Sequence, residues 1–225
     1  MIAGCAVVWT PGPLISLAEL GSPDVVFRGA PEAGIIALTI DDGPHPETTP
    51  EILAVLDRHG AWATFFLLGE NAQAYPELVE TIRDRGHEIG NHLMRDERSV
   101  TRGRETFQRD LAVADSILAI DEPKWFRPGS GWYADWMLEE AERQGYTCVL
   151  ASAYMQDVKI RRVGLIQWLL KRRVRPGDIV VLHEGSDSRR WTPAVLDEVI
   201  PYWQDRGWAV GTVGDLLVQP AEGGR

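Results

Sequence analysis

Two adjacent aspartates, Asp41 and Asp42, stand at the end of the apolar run 35–40 and directly before a Gly-Pro pair. An apolar run of this length bounded by turn residues is typical of a buried β-strand. Carboxylates at such a position can hold a metal ion or transfer a proton, whereas a single aspartate there often only caps the next helix. The pair therefore points to chemistry only if other polar side chains share its position.

Four further polar side chains end or follow strand-like runs in the same way. They are His92, Arg127, Asp157 and His183. In β/α barrels the C-terminal ends of the strands surround one cavity, and catalytic groups lie there. Core packing alone would not place titratable groups at the same end of five strands. We interpret the set as one catalytic site.

Three of these side chains suit a divalent metal ion. The candidate ligands are Asp42, His92 and Asp96, because Asp96 follows His92 by four residues and would share its face on a helical turn. Three protein ligands with an open position describe a catalytic metal site. Asp96 as a structural, turn-stabilising aspartate is the alternative.

The remaining side chains suit proton transfer. Asp41 would act as a general base on water activated by the metal, and Arg127 would hold Asp41 ionised and oriented. His183, on the far side of the cavity, would protonate a leaving amine. One aspartate of the pair would thus serve the metal and its neighbour the proton.

Strand-like runs alternate with amphipathic helical segments from residue 34 onward, which favours a parallel sheet. The seven predicted strands are 35–40, 62–68, 87–92, 124–128, 146–152, 178–183 and 208–213. Seven βα-type units in one chain favour a closed or nearly closed β/α barrel, with a doubly wound sheet as the alternative. We predict one domain over residues 31–218, an N-terminal extension over 1–30 and a C-terminal tail over 219–225.

Composition excludes several classes of partner. The net charge of −10 argues against nucleic acid and anionic membranes, which require clustered Lys and Arg. Two cysteines, Cys5 and Cys148, are too few for a disulfide scaffold or a cysteine zinc site. Pro11 and Pro13 interrupt the apolar start well before the roughly 20 residues of a spanning helix, so we expect an irregular extension without stable membrane insertion. A remnant of an anchor or signal is the alternative.

The motifs resemble those of the polysaccharide deacetylases, the NodB-homology domain of carbohydrate esterase family four, over about residues 24–218. "TIDDGP" (39–44) is similar to the first motif, T-F-D-D-G-P, which implies Asp41 as the base and Asp42 as a metal ligand. "GHEIGNHLMRD" (86–96) is similar to the second motif, and His92 matches its first metal histidine.

Three later motifs are also recognisable. "FRPGSG" (126–131) resembles the third motif, whose arginine, here Arg127, pairs with the base. "VVLHEG" (180–185) resembles the fifth motif and implies His183 as the general acid. In the fourth motif an aspartate tethers this histidine, and Asp157 in "SAYMQDV" is the nearest match.

The chain departs from the family pattern in three places. Asp96 replaces the second metal histidine, Gly129 and Ser130 replace Pro-Tyr, and Tyr154 stands where an aspartate is usual. An oxygen-rich ligand set shifts preference from zinc towards harder ions. We assign Ser130, through its backbone N–H, and the aromatic residues Trp132 and Tyr154 to substrate binding.

The resemblance implies a distorted (β/α)7-type barrel and a metal-dependent hydrolase that removes N-acetyl or O-acetyl groups from a GlcNAc-containing glycan, such as chitin-type or peptidoglycan chains. It implies one divalent ion, zinc first, with manganese, cobalt or magnesium admitted by Asp96. An amide or ester hydrolase of a small metabolite and a catalytically silent carbohydrate-binding homologue are the alternatives. We expect a monomer, in the cell envelope or outside the cell by resemblance, with the cytoplasm as the alternative.

Overall fold

The computed structural model describes residues 2–4, 20–155, 157–160, 162–185 and 189–217. The predicted C-terminal tail and residues 5–19 of the predicted extension lie outside the described residues. The strands are β1 Ile2–Gly4, β2 Val25–Val26, β3 Ile35–Asp41, β4 Thr64–Leu67, β5 Glu88–Asn91, β6 Lys124–Phe126, β7 Trp132–Ala134, β8 Tyr146–Val149, β9 Ala153–Tyr154, β10 Ile179–His183 and β11 Ala209–Gly211. The α-helices are α1 Thr48–His59, α2 Gly69–Ala74, α3 Pro76–Asp84, α4 Arg104–Leu118, α5 Asp135–Arg143, α6 Val163–Arg173, α7 Thr192–Gln204 and α8 Val213–Leu217.

Nine of the strands form one parallel sheet within the described residues, in the order β2-β8-β6-β5-β4-β3-β10-β9, with β11 paired to the first half of β3. The sheet curls, because the segment between β8 and β9 runs beside the start of β10, where the Ser152 N–H donates to the Ile179 carbonyl. A bridge between Arg28 and Asp178 brings the β2 edge to the same place. The predicted distorted β/α barrel is therefore confirmed.

All seven predicted strands are present, with ends that differ by at most three residues. The short strands β1, β2, β7 and β9 were not predicted. β1 pairs antiparallel with β7, and β2 extends the edge of the sheet beside β8. Both β1 and β2 lie inside the segment predicted as an extension, so that segment contributes strands to the fold.

The alternation of side chains along β3 separates core from site. Ile36, Leu38 and Ile40 face the helices and belong to the largest apolar cluster, while Ala37 faces the barrel interior. The interior is filled at its base by Phe66, Trp125 and Leu216, among others. Because successive side chains of a strand point to opposite faces, the interior face of β3 ends in the Asp41 carboxylate.

Local sequence sets where two of the helices begin and end. Gly60, with φ 56°, takes the left-handed conformation after α1, and its N–H bonds back to the Leu56 and Asp57 carbonyls. Pro76 occupies the first turn of α3, where a missing N–H is harmless. In the part of the chain that the structure describes, no helix combines the length and apolar character needed to cross a membrane.

Candidate active site

The C-terminal ends of the parallel strands surround a cleft of about 420 Å³, a volume typical of ligand sites. Nine of the ten predicted site residues line it: Asp41, Asp42, His92, Asp96, Arg127, Ser130, Trp132, Tyr154 and His183. The tenth, Asp157, lies against His183. The structure thus brings together in one cleft groups that lie up to 142 positions apart in the chain.

Asp41 and Arg127 form a buried ion pair at the floor of the cleft. The Arg127 Nη1 donates to Asp41 Oδ1 over 2.6 Å and to the Thr39 hydroxyl over 2.7 Å. Its other nitrogens donate to the carbonyls of Val149 and Leu150. All three nitrogens of the guanidinium therefore donate hydrogen bonds, and the Asp41 carboxylate is held in one orientation.

Asp42 leaves the strand direction immediately after Asp41. Its φ of 75° lies in the left-handed region, which aspartate tolerates better than most residues. The Asp42 N–H donates to the Phe66 carbonyl, and the Asn71 side-chain amide donates to the Asp42 carbonyl over 2.8 Å. This turn lets two adjacent aspartates reach the same cleft, which an extended strand would prevent.

Asp42 faces His92 with the chemistry expected of two metal ligands. The His92 Nδ1–H donates to the Arg127 carbonyl over 2.7 Å. Nδ1 must carry the proton here, because a carbonyl can only accept. The other ring nitrogen, Nε2, lies 3.4 Å from Asp42 Oδ1. That oxygen is buried and has no hydrogen-bond donor among the described residues. Two lone-pair groups directed at each other in a buried site fit a cation, so Asp42 and His92 fit a divalent metal ion.

The charges around Asp42 favour its ionised form. Burial by itself would raise the pKa of Asp42, but the neighbouring His92 in its protonated form, with the charges of His183 and Arg189, lowers it to about 2. A deprotonated carboxylate is the form that binds metals.

Asn91 orients His92 from inside the sheet. Its side-chain oxygen accepts from the Leu93 N–H over 2.8 Å, and its amide donates to the Leu111 carbonyl and the Tyr146 hydroxyl. Leu93 has a φ of 63°, so the chain turns sharply after His92. The helical turn expected between His92 and Asp96 is absent, because residues 94–97 form bends.

Arg189 links Asp96 to Asp42. Arg189 Nη1 lies 2.6 Å from Asp42 Oδ2, and Arg189 Nη2 lies 2.9 Å from Asp96 Oδ2. The Asp96 side chain is 43% exposed, whereas the Asp42 side chain is 4% exposed. Asp96 therefore stands at the rim of the cleft and shares one guanidinium with the buried aspartate.

His183 and Asp157 form a second coupled pair on the cleft wall. The His183 Nδ1 donates to Asp157 Oδ1 over 2.9 Å, and the His183 backbone N–H donates to Asp157 Oδ2 over 2.7 Å. Nε2 is then the ring nitrogen available to a substrate. Burial would lower the pKa of His183, but the charge and hydrogen bond of Asp157, with the charges of Asp42 and Asp41, raise it to about 9. His183 is accordingly a protonated donor at neutral pH.

Comparison with known proteins decides the family. A family model described as polysaccharide deacetylase matches residues 28–149, more than half of the chain. The chain belongs to the polysaccharide deacetylase family. A peptidoglycan-N-acetylglucosamine deacetylase of Bacillus cereus is 35% identical over 188 residues, covering 81% of this chain and 88% of the relative. A chitooligosaccharide deacetylase of Sinorhizobium fredii is 32% identical, covering 82% and 93%.

A solved structure agrees with this assignment. The Bc1960 peptidoglycan N-acetylglucosamine deacetylase, in complex with 4-naphthalen-1-yl-N-oxidanyl-benzamide, superposes with a TM-score of 0.84 at 29% identity. The match covers 96% of this chain and all of that one. The resemblance of the motifs is thus confirmed, and the chain is an enzyme of the polysaccharide deacetylase class.

Close backbone packing holds the segment 126–131, which resembles the third motif of the family. Ser130 takes a φ of 60° in a short turn that lines the cleft. A Cβ on Gly129 would come within 2.0 Å of the Glu97 carbonyl oxygen, so the segment before Ser99 packs directly on this turn. The replacement of a proline by Gly129 is therefore matched by the neighbouring loop.

Aromatic rings flank the catalytic groups at two positions. Trp132 is half-buried at the start of β7, and its backbone pairs with Gly4 of β1. The Tyr154 ring stands edge-on to the His183 ring, with 5.8 Å between their centroids. Both residues assigned to substrate binding are thus at the cleft, together with Ser130.

The sequence analysis missed one charged residue that lines the cleft and one buried ionisable residue beside it. Arg189 was overlooked, although it follows β10 by six residues and so lies in a loop at the catalytic end of the sheet. Glu184 is fully buried directly after His183, where its Oε2 accepts from the hydroxyls of Thr48 and Thr49. Burial raises the pKa of Glu184 to about 8 despite these hydrogen bonds. The signal available in the sequence was an ionisable residue, Glu184, directly after the predicted strand 178–183.

Proposed function

We propose that this polysaccharide deacetylase removes N-acetyl groups from a GlcNAc-containing glycan with the help of one divalent metal ion. The observation that carries the proposal is that one cleft holds a carboxylate fixed by Arg127 and an imidazole fixed by Asp157. A general base and a general acid, each held by its own partner, are what amide hydrolysis requires. The relatives named for peptidoglycan and chitooligosaccharide substrates support the choice of glycan.

Asp42 and His92 would hold the metal ion, with Asp96 as the third predicted ligand. Support comes from the unpartnered Asp42 Oδ1 and the His92 Nε2 that faces it. When bound, a divalent ion acidifies water and polarises a carbonyl. Zinc is the first candidate, and manganese, cobalt and magnesium follow because Asp96 adds a second carboxylate.

The chain's own residues then divide the proton transfers. Asp41 takes a proton from water as the water oxygen bonds to the acetyl carbon, and the Ser130 N–H donates to the oxygen that gains charge. His183 gives the proton on Nε2 to the sugar nitrogen as the C–N bond breaks. The products are acetate and a free amine. The protein returns to its starting state when Asp41 has released the proton that it took from water and His183 has regained one.

The test is acetate release from N-acetylchitooligosaccharides by chelated protein supplied in turn with zinc, manganese, cobalt and magnesium, with metal content measured by mass spectrometry. We expect metal-dependent release that Asp41→Asn abolishes. Asp121→Asn, the same chemical change on an exposed aspartate, is the matched control and keeps activity.

Two outcomes would contradict the proposal in different ways. Bound metal without acetate release from any glycan would favour an amide or ester hydrolase of a small metabolite. Glycan binding without turnover would favour a silent binding protein. The second outcome conflicts with the two coupled pairs, since binding alone needs neither an Asp41–Arg127 nor a His183–Asp157 pair.

A further inference from the structure

Arg189 occupies the space between the two carboxylates predicted to bind the metal. Its Nη1 bonds to the buried Asp42 and its Nη2 to Asp96 at the rim, with nitrogen–oxygen distances of 2.6 and 2.9 Å. The Arg189 side chain is itself 22% exposed, so the guanidinium reaches inward from the cleft wall. One planar cation thus bridges Asp42 and Asp96 and offsets one of their two negative charges.

A guanidinium in this position and a divalent ion would draw on the same two carboxylates. Arg189 contacts Asp42 Oδ2, while Asp42 Oδ1 is the oxygen that faces His92. A metal ion bound by both Asp42 and Asp96 would lie within a few ångströms of Arg189, where two positive charges repel strongly in a partly buried site. The guanidinium also stands between the two aspartates, so an ion bound by both would occupy the space that it fills. Metal binding through both aspartates therefore requires Arg189 to leave them.

We propose that Arg189 is an internal competitor of the catalytic metal, which holds Asp42 and Asp96 together in the metal-free protein and is displaced when the ion binds. This inference rests on the proposed metal-dependent function. It depends on the second carboxylate at position 96, because a histidine there would leave Arg189 with Asp42 as its one anionic partner of the two. The competition lowers the affinity of the site for metal and reduces the repulsion between Asp42 and Asp96 in the metal-free cleft.

The adjacent arginine supplies a matched control. The Arg190 guanidinium lies over the Trp191 ring, 5.9 Å from its centroid, and Arg190 is exposed. Arg190→Gln removes the same charge from the same loop without touching the hydrogen bonds to Asp42 and Asp96. A general electrostatic effect would appear in both variants, whereas competition would appear only in Arg189→Gln.

The experiment is calorimetric titration of chelated wild type, Arg189→Gln and Arg190→Gln with zinc and with manganese. We expect Arg189→Gln to bind both ions about tenfold or more tightly than wild type, since displacing a charged hydrogen-bonded pair is no longer required. Arg190→Gln should stay within about twofold of wild type. Arg189→Lys, which keeps the charge but loses the fork, should fall between the two and guards against misfolding of the glutamine variant.

Thermal unfolding gives an independent readout. Metal-free Arg189→Gln should melt at a lower temperature than metal-free wild type, because Asp42 loses a partner, and saturating metal should remove this difference. Equal or weaker metal binding by Arg189→Gln would overturn the proposal and would assign Arg189 to positioning Asp96. Absence of metal binding by all variants would overturn the proposed metal site and this inference together, whereas binding that is equal in wild type and Arg189→Gln overturns the inference alone.

Discussion

The Arg127 guanidinium donates to the Asp41 carboxylate over 2.6 Å while the two side chains are only 4% and 5% exposed. An ion pair at this depth is sustained only when the remaining donors are also satisfied, and Thr39, Val149 and Leu150 supply those acceptors. The pair therefore ties three strands of the barrel to Asp41, the proposed base. The same ion pair therefore stabilises the fold and orients the proposed base.

Loss of Arg127 should destabilise the folded protein. Arg127→Met leaves the Asp41 carboxylate buried without a counter-ion, and we expect the free energy of unfolding to fall by about 3–5 kcal/mol. Urea denaturation of the metal-free protein measures it. The double variant Asp41→Asn with Arg127→Met should recover part of the loss, because no buried charge then remains. A loss under about 1 kcal/mol in the single variant would show that solvent reaches the pair.

The raised pKa of His183 should depend on Asp157. In the metal-free protein we expect His183 to titrate near pH 9, with burial opposed by the Asp157 charge and hydrogen bond. Asp157→Asn removes that charge, so the pKa of His183 should fall. NMR titration of the imidazole resonance measures this change.

The same substitution has a consequence for catalysis with a defined sign. A general acid must be protonated to donate, so activity declines as pH rises through the pKa of His183. Asp157→Asn should therefore move the alkaline limb of the rate profile to lower pH and reduce the maximal rate by about 10²-fold or more. An unchanged alkaline limb would assign the proton donation to another group.

Glu184 should make the metal-free protein less stable in alkaline solution. Burial raises its pKa from 4.5 to about 8, so the folded state binds a proton that the unfolded state has lost. Stability is then highest below pH 4.5 for this group and declines as pH rises towards 8, by at most about 1.4 kcal/mol per pH unit. Glu184→Gln should remove this decline in urea unfolding measured from pH 5 to 9.

A matched variant separates this effect from surface charge. Glu198 is exposed on α7 and pairs with Lys171, so Glu198→Gln changes the same group without burial. Its stability should follow the wild-type pH profile. Parallel profiles for wild type and Glu184→Gln would mean that the buried Glu184 keeps an ordinary pKa.

Asp96→His tests the metal preference. A histidine at position 96 restores the family's nitrogen ligand and removes one anionic partner of Arg189. We expect the ratio of zinc to manganese affinity to rise about tenfold or more, because imidazole favours zinc and carboxylate favours harder ions. Release of Arg189 changes the affinity for both ions alike. The ratio of zinc to manganese affinity therefore reports only on whether residue 96 binds the metal. Asp96→Asn is the control, and a ratio that does not change in Asp96→His would exclude position 96 from the metal.

Much of the fold was predictable because its signals are local. The apolar run ending in Asp41, Gly60 after α1 and Pro76 at the start of α3 report strand and helix ends through conformational preferences of neighbouring residues. The strand β2 was not predictable, because two residues carry no periodicity and their pairing with β8 joins segments more than a hundred residues apart. The expected helical turn after His92 was wrong, since Asn91 accepts the Leu93 N–H and diverts the chain.

The sequence by itself determined which groups stand at the catalytic end of the barrel, since a residue that ends a strand must lie where that strand ends. Only the tertiary structure decided how these groups are paired: Asp41 with Arg127, His183 with Asp157, and Asp42 with Asp96 through Arg189. Arg189 lies 93 residues from Asp96 in a loop without periodicity. Its partners follow from where a long side chain can reach once the barrel has closed, and no local pattern of residues encodes that distance.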